Sequence, residues 1–171
     1  MKLLIVIAPE RFRDEELFTP CEMFEKTDII YDIASTKTGT CAGMIGGSAE
    51  ATLAIADARA EEYDGIVVVG GVGSQDFLWD NAGLQELVRT FFTSGKVVAA
   101  ICLSPVVLAQ AGILHGRQAT VFRTPASIRA MKAGGAHLVD MPVVADLDLI
   151  TANGPQAAGR FAEMIIERLL C

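Results

Sequence analysis

The sequence predicts an α/β protein: a mostly parallel sheet with helices on both faces. Three observations lead there. Short, continuous apolar runs recur at residues 3–8, 66–69 and 97–101, as strands covered on both sides require. Stretches with helical spacing alternate with those runs, which is the pattern of βαβ units. Glycines punctuate the alternation at Gly70-Gly71, Gly95 and Gly134-Gly135.

The elements follow in order. Residues 3–8 form the first buried strand. Residues 14–26 read as a helix with Leu17, Phe18, Cys21 and Phe24 on one face, and Pro20 is expected to kink it or disturb its first turns. Residues 29–35 are a second strand. Residues 36–51, rich in Gly, Thr and Ser, read as a loop or short hairpin. The strand at 66–69 ends at Gly70-Gly71. Leu84, Leu87, Val88 and Phe91 give residues 82–93 a helical face, closed by Gly95. The strand at 97–101 runs into Cys102, and a helix follows through Leu108 to Ala111. A short strand is expected at 120–122 and a helix at 125–133. Residues 143–145 and 149–151 make two short strands, readable as a hairpin around Asp146-Leu147-Asp148. Residues 156–170 form the closing helix.

With 171 residues and 51% hydrophobic composition, the chain suits one domain, 1–171, with a substantial core. A net charge of −7, without a Lys/Arg block, argues against nucleic-acid binding. The N-terminal apolar run is too short for a signal sequence, and no stretch approaches a membrane span, so the expected location is cytoplasmic. Cys21, Cys41, Cys102 and Cys171 match neither a zinc pattern nor a C-x-x-C pair. There is no phosphate loop or dinucleotide fingerprint. No metal and no organic cofactor are implied.

Ligands of parallel sheets bind outside the carboxyl ends of the strands. Three features fall there: residues 10–16, Gly70-Gly71 and Cys102. A single residue separates the strand ending at Ile101 from the next helix, and Pro105 suits that helix's first turn. This is the logic of a nucleophile elbow without its G-x-S-x-G form. The helix N-terminus and nearby amides are expected to favour thiolate and lower the Cys102 pKa. On the residues alone, a reactive thiol and a small core cysteine remain equally open. Cys21 reads as core, Cys41 as a loop residue and Cys171 as the terminus.

Over essentially its whole length the chain resembles the ThiJ/PfpI superfamily, which includes PfpI-type intracellular proteases and parkinsonism-associated deglycase-like proteins. The resemblance lies in Phe12-Arg13-Asp14-Glu15-Glu16-Leu17 with Pro20, in residues 63–71, in residues 94–102 with Ala111-Gly112-Ile113-Leu114, and in residues 149–155. It implies a flavodoxin-like three-layer sandwich related to class I glutamine-amidotransferase domains, with Cys102 as the elbow cysteine. It also implies Glu16 as a protonated carboxyl donating to the sulfur, a choice over Glu15 that the residues alone do not make. Gly71 and the Leu103 amide would form an oxyanion site, with Gln75, Phe122 and Pro155 around the pocket. Homo-oligomers, dimeric or hexameric, are implied as well.

The chain departs from the PfpI-type protease pattern at three places. Leu103 stands where His would follow the cysteine, Gln75 where a Glu would reach that His, and Phe122 in place of a Tyr. None of the three can move the protons of an acyl-transfer cycle, so peptidase action is disfavoured. Amidotransferase action lacks a His-x-Glu element after the cysteine. His115 reads as a surface residue, and His137 as turned away from the sulfur. The expectation is a small-molecule site acting on carbonyl compounds in glyoxalase or deglycase fashion. The alternative is a redox or stress sensor whose cysteine is oxidised.

Overall fold

The computed structural model describes residues 1–171. The chain runs β1 (Lys2–Val6), β2 (Glu10–Phe12), α1 (Asp14–Lys26), β3 (Ile30–Ser35), β4 (Gly39–Gly43), β5 (Ser48–Ala51) and β6 (Leu53–Ala54). It continues through β7 (Gly65–Val68), α2 (Val72–Phe77), α3 (Ala82–Thr93), β8 (Val97–Ile101), α4 (Pro105–Gln110), β9 (Gln118–Ala119) and α5 (Pro125–Ala133). It closes with β10 (His137–Leu138), β11 (Val143–Asp146), β12 (Leu149–Ala152) and α6 (Ala158–Leu170).

The main sheet has the order β11-β12-β8-β7-β1-β3-β6. Every pair in it is parallel except β11 with β12. Its five central parallel strands in chain order, β1, β3, β7, β8 and β12, lie in the flavodoxin-like arrangement, with the reversal of direction between β1 and β7. Leu3 to Val6 and all of β7 and β8 are buried, because both faces of these strands are covered. Helix α1 packs against α6, while α4 packs against both α3 and α5. Right-handed crossovers leaving the reversal point in opposite directions put the two groups on opposite faces. A single connected core of 54 buried residues fills both layers.

The boundaries of α3, α5 and β8 match the sequence expectations. The Gly-rich stretch 36–51 is a hairpin, β4 with β5, and residues 143–152 form the antiparallel hairpin β11–β12. Residues 120–122 are not a strand. The Thr120 amide donates to Thr151 Oγ1 (3.0 Å) and the Phe122 amide to the Cys102 carbonyl (2.8 Å), so no ladder remains for them. Only Gln118–Ala119 pairs, with His137–Leu138. A 3₁₀ turn, Pro155–Ala157, precedes α6, which begins two residues later than expected. Pro20 lies inside α1, which stays one helix. Lacking an N–H, it cannot donate to the Glu16 carbonyl four residues back.

Candidate functional site

The carboxyl ends of β1, β7 and β8 meet at one edge of the sheet, and each delivers one part of a site. Strand β8 ends in Cys102, whose φ of 65° places it in the left-handed region that non-glycine residues avoid. Such a conformation costs about 1–2 kcal/mol and persists only where its surroundings hold it. Here the Cys102 amide donates to Ala152 O (2.8 Å) and its carbonyl accepts from Phe122 N (2.8 Å). Behind it, Ser104 Oγ donates to Val69 O (2.6 Å) and lies 2.7 Å from Ser74 Oγ, both hydroxyls being buried. Trp79 Nε1 donates to Leu103 O (2.8 Å). The last three of these bonds tie the elbow to the end of β7, to α2 and to the turn after it. Ser74, Ser104 and Trp79 were absent from the sequence reading; Ser104, beside Pro105 at the helix start, was the visible signal.

The β1 exit leads through β2 into α1, and the first turn of α1 carries three acidic residues with three separate fates. Asp14 is buried and accepts from Ile45 N (3.0 Å) and Gly47 N (2.7 Å), holding the β4–β5 turn. Glu15 accepts from Arg13 Nε (2.8 Å). Glu16 is fully buried, 0% exposed, and neither carboxyl oxygen has a partner of full hydrogen-bond geometry. Burial pushes its pKa up to about 8, against the downward pulls of the Cys102 thiol, the Gly70 amide and Arg13. Glu16 is therefore protonated at neutral pH and has a proton to give.

Strand β7 delivers Gly70 and Gly71. A Cβ at Gly70 would lie 2.5 Å from Cys102 Cβ and 2.7 Å from Glu16 Oε1, so only glycine lets the thiol and the carboxyl approach each other. Gly71 has φ 106°, a conformation for glycine, and the space of its Cβ is taken by Arg13 N at 2.5 Å. The backbone amides of Gly71 and Leu103 act on the thiol in the opposite direction to burial and pull its pKa down. Neither amide has a backbone acceptor.

The sulfur nonetheless differs from the sequence expectation. Cys102 is only 7% exposed, and burial first, then the charge of Glu16, pushes its thiol up to about 12. The reason is physical: α4 has only six residues, and the free amides are outweighed by desolvation. While Glu16 is neutral, that repulsion is absent. The thiol and the carboxyl lie close enough for the ionisation of each to shift that of the other.

A cavity of about 120 Å³ opens onto Cys102, lined by Arg13, Met44, Gly71, Val72, Leu103, Phe122 and Pro155. The structure brings Cys102, Glu16, Gly71, Leu103, Phe122 and Pro155 together. Gln75 lies outside the lining, on the exposed side of α2, whose neighbour Asp76 pairs with Arg11 (2.8 Å). Neither His115 nor His137 lines the cavity; both are exposed. Arg13, Met44 and Val72 were not foreseen, since nothing local in their sequence separates them from surface residues. Cys21 and Cys41 are buried, Cys41 within β4 rather than a loop, and Cys171 is exposed.

Fold and site define a flavodoxin-like α/β protein with a cysteine held at a strand–helix elbow beside a buried carboxyl. A model of the DJ-1/PfpI family matches residues 1–168, and the chain belongs to that family. It is 46% identical over 168 residues to a protein of Methanocaldococcus jannaschii, covering 98% of this chain and 82% of that one. It is 32% identical over 155 residues to a deglycase of Pyrococcus horikoshii, covering 91% of each. Its structure is similar to that of a ThiJ/PfpI domain protein of Brachyspira murdochii, with a TM-score of 0.93, 33% identity, and 99% and 96% of the two chains covered. No helix is long and apolar enough to cross a membrane.

Proposed function

We propose that the chain acts on small carbonyl compounds in glyoxalase or deglycase fashion, with Cys102 as nucleophile and Glu16 as its proton partner. The observation that carries this reading is the strained elbow of Cys102 set against a fully buried, unpartnered Glu16. Strain and unpaired burial are both costs that a purely structural cysteine would not need. In the proposed step the sulfur adds to an aldehyde carbon. The C–S bond forms and the carbonyl π pair moves to oxygen. Glu16 gives that oxygen its proton and takes the thiol's. The Gly71 and Leu103 amides, which face the sulfur, would also face the developing alkoxide. A relative named as a deglycase supports the deglycase side of this reading. Leu103 and Phe122, which carry no transferable proton, weigh against peptidase chemistry.

The test is conversion of methylglyoxal to lactate by wild type, Cys102→Ser and Glu16→Gln. Turnover lost in Cys102→Ser and reduced at least about a hundredfold in Glu16→Gln is expected, the usual worth of a positioned acid–base group. Turnover that survives Cys102→Ser overturns the reading. A second reading, oxidation of Cys102 to a sulfinate under peroxide, is favoured by the apolar walls around the sulfur and the lack of a cavity histidine. Peroxide consumption without aldehyde turnover would select it. Met44, Val72 and Phe122 are exposed at the mouth, which supports the homo-oligomer as part of the same proposal.

A further inference from the structure

We infer that Arg13 makes the Cys102 cavity selective for small anionic carbonyl compounds, the 2-oxo acids, whose carboxylate adjoins the carbon that the sulfur attacks. The inference rests on the reading of Cys102 as a nucleophile and deepens it to a substrate class.

Arg13 is the one charged residue in the cavity lining. Its backbone amide donates to Gly70 O (3.0 Å), which fixes the residue against the same glycine that spaces Cys102 from Glu16. Its side chain is anchored through Nε to Glu15 (2.8 Å), and the two terminal guanidinium nitrogens make no hydrogen bond. The planar fork is thus oriented from behind with its terminal donors free, the arrangement that binds carboxylate well. The remaining side chains of the lining besides Cys102 (Met44, Val72, Leu103, Phe122, Pro155) are apolar and offer an anion no competing partner. A cavity of about 120 Å³ has room for a two- or three-carbon acid. Glu16, buried beside the sulfur, would repel a carboxylate when ionised, so the anion and the neutral carboxyl require each other.

The bound species is a hemithioacetal or hemithioketal. The S–H adds across the C=O bond, with S to carbon and one proton to oxygen, while the substrate carboxylate stays intact on Arg13. The addition is reversible and needs no oxidant or other reactant.

The experiment uses two isosteric pairs that differ in charge. Cys102 alkylation at neutral pH is followed by mass mapping with iodoacetate and with iodoacetamide, and protection is titrated with glyoxylate and with methylglyoxal. Wild type is expected to favour iodoacetate, and glyoxylate to protect at the lower concentration. In Arg13→Gln the iodoacetate-to-iodoacetamide rate ratio should fall about tenfold or more, the worth of one charge-assisted hydrogen bond, while Arg13→Lys keeps part of it. An unchanged ratio in Arg13→Gln overturns the anion preference and leaves the nucleophile standing. Cys102 that resists both reagents while Cys171 labels removes the nucleophile and the inference with it.

Discussion

Glu16 should make this protein less stable as the pH rises. The carboxyl binds its proton with a pKa of about 8 in the fold, against an ordinary 4.5 in the unfolded chain. At low pH both states hold the proton and the fold suffers no penalty. Between the two values the unfolded chain releases its proton while the folded one keeps it, so the unfolded state gains. Stability is fully present below the ordinary value and is lost as pH climbs through the folded one. With no exposed surface on Glu16 there is no solvent screening to discount. At about 1.36 kcal/mol per pKa unit, the Glu16 contribution falls by about 4 kcal/mol between about pH 5 and about pH 8.5. That is a large fraction of the stability of a typical domain. Glu16→Gln keeps the shape and removes the proton. Urea unfolding of both chains across that range is the assay. Wild type should lose midpoint steeply, and the variant should lose about 4 kcal/mol less of it. Parallel curves for the two chains would refute the argument, because they would mean that Glu16 ionises freely in the folded state.

Two further outcomes follow from the same edge of the sheet. Ser104→Ala removes the donor to Val69 O and the partner of Ser74 Oγ, so it should cost about 1–3 kcal/mol in chemical denaturation, and a loss below a few tenths would show that water replaces the hydroxyl. Cys102→Gly relieves the φ of 65° whereas Cys102→Ala does not, so the glycine variant should be the more stable by about 1 kcal/mol, read as a difference in thermal midpoint; the reverse order would show that the elbow is unstrained.

Much of this architecture is written in residue patterns. Val97–Ile101 is five apolar residues closed by glycine on one side and a helix start on the other, and it appears as β8 with those limits. The α3 and α5 boundaries are equally plain, since Asn81 and Thr124 cap them with side-chain oxygens. What escaped the sequence depends on partners far along the chain. Glu10–Phe12 is a strand because β4 lies beside it, not because charged residues prefer strands. Val72–Phe77 is a short helix that contains Gly73, too brief to show a period. The segment 120–122 is apolar enough for a strand, yet its amides are claimed by Thr151 and Cys102.

The site shows the same division. Cys102 is legible because it directly follows a buried strand that leads into a helix, although three residues, 102–104, and not one make the turn. Glu15 and Glu16 are adjacent and chemically alike, and only the helix direction sends one to Arg13 and the other into the core. The rise of the Cys102 pKa was the opposite of the local expectation, because burial is a property of the whole fold while a helix terminus is visible in a few residues.

The glycine at position 70 has a consequence for when the pair can exist at all. Its spacing of Cys102 from Glu16 joins side chains delivered by β8 and by the exit of β1 across the end of β7. Those segments lie far apart in the chain and become neighbours only after the parallel strands have found their register. A newly made or locally opened chain therefore carries Cys102 as an ordinary thiol and Glu16 as an ordinary acid. The proposed chemistry of the pair would be switched on by the completion of the sheet and lapse whenever that region opens, so the thiol's behaviour would report on the integrity of the molecule that holds it.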